Sequence, residues 1–173
     1  LAVDYGSTTI LMQLVDLNSG TVIAEEKVVN GQVAYGTDIL TRITYCLEDP
    51  AHPQDLQKAT VETFHQLFER LTGETGIEVN KLPVMIVSGN TTMIHLLMKY
   101  PVERLAKAPF CPETLDEIET EIAGVKTYIM PGISAFVGAD VLAGLLAVES
   151  LTKQKEGYRL LIDLGTNAEL VLY

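Results

Sequence analysis

Cysteine is scarce in this 173-residue sequence, tryptophan is missing, and 12 Lys and Arg stand against 23 Asp and Glu. Cys46 and Cys111 lie far apart, which excludes a disulfide scaffold, a Cys-x-x-Cys redox pair and a four-thiolate cluster within this chain. His52, His65 and His95 are equally scattered and have none of the spacings of a zinc site. With a formal net charge of -11 and no run of basic residues, the electrostatic footprint of a nucleic-acid binder is absent, and nothing favours an anionic membrane surface. No apolar run reaches the length of a membrane span and no basic-then-apolar leader is present, so the cytoplasm is the expected location. The sequence starts within one strand pattern and stops within another, as a segment of a longer protein would.

What the chain does have is a 47% hydrophobic content, enough for a core, and one stretch that occurs twice in outline. Leu1 to Ile10 runs apolar strand, Asp4, Tyr5, Gly6, then Ser7, Thr8 and Thr9 before the next apolar run. Leu160 to Val171 repeats the plan with Asp163, Gly165, Thr166, Asn167 and Glu169. Gly6 and Gly165 would permit positive φ and close approach, so that backbone N–H groups meet phosphate oxygens. Hydroxyls from Ser7, Thr8, Thr9 and Thr166 add donors. Asp4 and Asp163 would repel a phosphate directly but suit a hydrated Mg²⁺ that the phosphates share. A single copy is ordinary hairpin chemistry. Two copies, each between apolar strands, favour a polyphosphate held between facing turns.

Between the two turns the periodicities alternate. Thr9 to Asp16 and Thr21 to Val29 read as strands, Leu17 to Gly20 as their turn. Gly36-Thr37-Asp38 starts a helix, and Arg42 either pairs with Asp38 at helical spacing or meets an anionic ligand. Gln54 to Glu74 is a packing helix closed by Gly73 and Gly76. Pro83 to Gly89 is a wholly apolar strand expected to be buried on both faces. Asn90-Thr91-Thr92 follows it at a helix start, where a plain N-cap and a ligand contact are both open. Pro101 to Gly124, rich in proline and acids, reads as a solvated excursion or partner surface. Val125 to Met130 is a fifth strand, and Ala135 to Leu151 a helix rich in small residues. Its Asp140 either favours the helix dipole or aims at a metal or an attacking water.

This order of turns, strands and helices resembles the actin-fold ATPase superfamily of sugar and acetate kinases, heat-shock chaperones and actin. The blocks Ala2 to Thr9, Ala34 to Asp38, Ser88 to Met93, Ala108 to Phe110, Pro131 to Asp140 and Asp163 to Glu169 further resemble the reductive activators of corrinoid proteins. The resemblance implies an α/β, ribonuclease-H-like lobe with a mixed five-stranded sheet and flanking helices over residues 1–157. The opening hairpin of a second lobe would occupy 158–173, with a connecting helix from about Phe136 to Ala147. It implies ATP and Mg²⁺ as ligands, and a [2Fe–2S] cluster in a separate domain of the longer protein. It also implies a corrinoid protein as partner, reduced from Co(II) to Co(I) as ATP is hydrolysed and the lobes close. Asp4 and Asp163 would organise Mg²⁺ and water, and Gly6, Ser7, Thr8, Thr9, Gly165, Thr166 and Asn167 would cradle phosphates. Asn90 and Asp140 would orient the nucleophile. A small-molecule kinase of the same superfamily and a non-catalytic partner-binding module, including a homodimer, are the alternatives.

Overall fold

The computed structural model describes residues 1–152, 157–165 and 168–173. Strands β1 (Ala2–Tyr5), β2 (Thr9–Val15) and β3 (Val22–Val29) form an antiparallel meander. β4 (Met85–Gly89) lies parallel to β1, β6 (Val125–Ile129) lies parallel to β4, and β5 (Ile118–Ile122) closes the edge antiparallel to β6. The order β3-β2-β1-β4-β6-β5 makes a mixed sheet of six strands, one more than the five expected. The added strand comes from the acidic segment read as an excursion. There Ile118, Thr120 and Ile122 alternate with exposed Glu119 and Glu121, so a period of two puts Ile122 in the core while the acids stay wet.

Helix α1 (Ile39–Glu48) starts at Asp38, whose carboxylate accepts from the Thr41 N–H and hydroxyl at 2.9 and 2.7 Å, so that of the two candidate caps, Thr37 and Asp38, the second is used. Helix α2 (His52–Thr75) lays Leu56, Phe64, Leu67, Phe68 and Leu71 against Tyr5, Ile10 and Met12 of the sheet. It runs straight through Gly73 and ends at the left-handed Gly76. Tyr5 meets Phe64 edge-on at 6.1 Å, and its phenol shares a 2.7 Å hydrogen bond with Thr60. β4 departs from expectation, because Met85 and Val87 are buried while Ile86 is 45% exposed. Only one face of that strand is sealed by the α2 core.

Helix α3 (Thr91–Met98) follows β4 directly, and α4 (Ala139–Leu151) lies against β4 as well. α4 begins four residues later than predicted. The Ser134 and Phe136 carbonyls accept from Thr91 Oγ1 and Asn90 Nδ2, both at 2.6 Å, so they are turned toward α3 and not along a helix. β7 (Leu160–Leu164) and β8 (Ala168–Leu172) form a separate two-stranded sheet. Among the described residues no helix is long and apolar enough to cross a membrane.

His95 is buried in α3, donating from Nδ1 to the Thr91 carbonyl at 2.8 Å and accepting at Nε2 from the Glu113 N–H at 2.9 Å. Burial lowers its pKa below the ordinary 6.5. The unfolded chain therefore binds this proton more readily, and the contribution to stability is fully present above pH 6.5 and is lost as the pH falls from there through the lowered folded value. His95→Gln is expected to flatten the melting temperature between pH 7 and pH 5, read by thermal denaturation. An unchanged acid slope would remove His95 as its source.

Candidate functional site

The first turn, between β1 and β2, is shaped from behind. Asn30 and Arg42, both without exposed surface, supply the clamps. Asn30 Nδ2 donates to the Gly6 carbonyl at 2.8 Å, Arg42 Nη2 to the Ser7 carbonyl at 2.6 Å, and the Asn30 N–H to the Thr8 carbonyl at 2.9 Å. Of the two reasons expected for Gly6, positive φ does not apply, since the residue does not adopt it. A Cβ there would stand 2.5 Å from the Thr9 carbonyl oxygen, so close approach is what excludes a side chain.

β1 buries Val3 and Tyr5 on one face and turns Asp4 to the other. β7 carries Asp163, paired across the hairpin with Glu169 of β8. Asp140 occupies the first turn of α4. All four carboxylates line one cleft of about 280 Å³ with Gly6, Ser7, Thr8, Thr9, Ile39, Asn90 and Gly165. The aspartates and glycines of the two motifs, from opposite ends of the chain, thus line the same cleft. Thr166 and Asn167 lie outside the described residues. An apolar recess of about 520 Å³ opens beside the cleft, sharing Ser7, Ile39, Asn90 and Glu169 and adding Leu40, Phe110 and Phe136.

The cleft is electrostatically crowded. Removal from water raises the Asp4 pKa, and the charges of Asp140 and Asp163 raise it further. Asp140 is raised chiefly by desolvation, with Asp163 adding to it, although the Val141 N–H supports its anion at 2.9 Å. Glu169 is raised by desolvation and then by Asp140 and Asp163. Among the described residues no ion pair involves these carboxylates, and no three His, Cys, Asp or Glu side chains could hold a metal by themselves. Hard oxygen donors without a cation fit Mg²⁺, which takes one or two carboxylates and fills its remaining positions with water and phosphate.

Asn90 is an N-cap: its Oδ1 accepts from the Thr92 N–H at 2.9 Å while Nδ2 holds the Phe136 carbonyl. Arg42 does not take Asp38 as hydrogen-bond partner but donates to Ser7, to the Gly36 carbonyl at 2.9 Å and to the Met93 sulfur at 3.2 Å. Glu169, Asn30 and Ile39 are the site residues that sequence reasoning left unassigned, and Arg42 was given a pairing with Asp38 or a ligand contact but not its hold on the Ser7 carbonyl. Glu169 was within reach, since it stands in the second motif with its side chain on the same strand face as the Asp163 opposite.

A sequence model of the RACo middle region matches residues 1–153. The chain is 32% identical over 181 residues to the corrinoid activation enzyme RamQ of Eubacterium limosum, covering 99% of this chain and 30% of that protein. The solved structure of a reductive activator for corrinoid, iron-sulfur protein superposes with a TM-score of 0.88 at 35% identity, over 99% of this chain and 28% of that one. A putative 2-dehydro-3-deoxygalactonokinase from Sinorhizobium meliloti shares the fold, with a TM-score of 0.54 and 15% identity over 99% of this chain and 48% of that one. The chain thus spans under a third of the corrinoid-related proteins that it matches. With the paired turns, the ribonuclease-H-like lobe and this match over most of its length, the chain belongs to the RACo middle region family.

Proposed function

We propose that this chain is the nucleotide-handling part of an ATP-dependent reductive activator of corrinoid proteins, in which ATP binding and hydrolysis drive reduction of Co(II) to Co(I). One observation carries the nucleotide part: Asp4 and Asp163, each heading a glycine- and hydroxyl-containing turn, line a single cleft. The corrinoid part rests on family membership and on the names of its relatives. Residues 1–157 form the first lobe and 158–173 open the second, a division supported by the separate sheet of the hairpin. The [2Fe–2S] cluster belongs to another domain of the longer protein.

In this mechanism Asp4 and Asp163 would hold Mg²⁺, which would supply charge neutralisation for the transferring phosphoryl group. The turns at Gly6 to Thr9 and Gly165 to Asn167 cradle the phosphates through N–H and hydroxyl donors. Asp140, with its raised pKa and its place on the cleft wall, orients the attacking water and takes its proton. Asn90 fixes the start of α4 and so the position of Asp140.

The test is steady-state ATP hydrolysis by the full-length protein, with and without a Co(II) corrinoid protein, alongside Asp163→Ala. Turnover that responds to the corrinoid protein and falls by about a thousandfold or more in the variant is expected. Turnover indifferent to both would sink the proposal. The apolar recess favours one further reading, a small-molecule kinase with its acceptor in that space. Phosphate recovered on an organic acceptor, and not as the free ion, would establish it.

A further inference from the structure

The first turn lies among carboxylates and nevertheless has to receive an anion. Its peptide groups carry both donors and acceptors, and which of them face the cleft depends on how each peptide plane is rotated. In a trans peptide the C=O and the following N–H point in opposite directions. The carbonyls of Gly6 and Ser7 are each drawn to a buried donor, Asn30 Nδ2 at 2.8 Å and Arg42 Nη2 at 2.6 Å. The peptide oxygens, whose partial negative charge would repel phosphate, are thereby turned toward the protein interior.

Arg42 contributes charge as well as direction. It is fully buried, and its hydrogen-bond acceptors are two backbone carbonyls and a thioether, all neutral. Asp38, the carboxylate one helical turn away, is bonded to Thr41 and acts on the guanidinium only through space. A guanidinium that stays charged at any relevant pH, removed from water and lacking a bonded carboxylate, is costly unless a negative charge is to come close. The residue it grips, Ser7, is part of the cleft wall.

We infer that Arg42 and Asn30 are the positioning residues that make the first turn a polyphosphate receptor, Asn30 by rotating the Gly6–Ser7 peptide and Arg42 by rotating the next one and placing a permanent cation behind it. This rests on the phosphate-binding role of the turn proposed above, and it acts independently of the metal. Neither residue touches the ligand. The cation offsets the carboxylates from the protein side, whereas Mg²⁺ would do so from the ligand side.

The experiment is equilibrium binding of inorganic tripolyphosphate and, separately, of adenosine to the full-length protein, measured by calorimetry in EDTA and in Mg²⁺. Asn30→Asp keeps the oxygen that accepts from the Gln32 N–H at 3.0 Å and loses the donor to Gly6. Arg42→Gln removes the charge, and Arg42→Lys keeps it without the fork that reaches two carbonyls. Tripolyphosphate is expected to bind about tenfold to a hundredfold more weakly to Asn30→Asp and Arg42→Gln in both conditions, with adenosine unchanged and Arg42→Lys in between. Folded variants that bind tripolyphosphate as tightly as the wild type would overturn the inference, as would an equal loss of adenosine, the mark of a merely structural role. If Arg42→Gln fails to fold, the near-isosteric Asn30→Asp decides alone. A wild-type protein that binds adenosine but no tripolyphosphate in either condition would instead remove the phosphate role of the turn, and the inference with it.

Discussion

Asp4→Asn is expected to abolish ATP turnover and to raise the melting temperature of the ligand-free protein at neutral pH. The loss should be on the order of a thousandfold, because one of the two carboxylates assigned to Mg²⁺ is gone. The gain follows from crowding. In the folded chain the Asp4 pKa is raised above 3.8 by desolvation, Asp140 and Asp163. Between 3.8 and the raised value the folded state holds more protons than the unfolded one, so stability falls as pH rises through that window and stays low above it. Asparagine carries no charge to crowd. The gain should therefore vanish below pH 3.8 and reverse with saturating Mg²⁺ and nucleotide, when the carboxylate acquires its counter-ion. Thermal melts at both pH extremes decide it: a variant less stable than the wild type at neutral pH would mean that Asp4 is a structural partner.

Gly138→Ala is the second large effect. A Cβ at this position would lie 2.3 Å from the Gly89 carbonyl oxygen and 2.6 Å from Asn90 Cα and the Thr91 nitrogen. Those atoms are main chain at the end of β4 and the start of α3, so no side-chain rotation relieves the overlap. A loss of about 3 kcal/mol is expected, a fall in melting temperature on the order of 10 °C. Turnover should drop with it, since Asp140 is two residues on. Gly73→Ala is the control: it lies inside α2 with open space where a Cβ would go, and should be neutral or stabilising by up to about 1 kcal/mol. Equal behaviour of the two variants would refute the close packing at Gly138.

The strands and helices carried by strong periodicity were legible in the sequence, among them the meander, the Asp38 cap and the long packing helix. Asp4, Asp140, Asp163 and the Gly6 to Thr9 turn were also named from sequence, and they line one cleft. Three features were hidden for physical reasons. In Ile118 to Ile122 the acids dominate composition, and only the alternation reveals a strand. Arg42 stands four residues after Asp38, the spacing of an exposed helical pair, yet tertiary packing takes it to the Ser7 carbonyl. The delayed start of α4 depends on carbonyls captured by Asn90 and Thr91, partners more than 40 residues away that no local pattern encodes.

The seating of Gly138 also sets the mechanics. With its first turn wedged against the end of β4 and the start of α3, α4 is anchored at that end, and any tilt of the helix would pivot there. Its 13 residues extend about 20 Å, so a tilt of about 10° at the pivot would sweep the far end through about 3.5 Å. Asp4, Asp140, Asp163 and Glu169 gather at the pivot end, while the hairpin meets the far end of α4 through Arg159 and Glu149. Relief of the repulsion among these carboxylates by a bound cation would act beside the pivot, so any tilt that it caused would be largest at the opposite end of the helix.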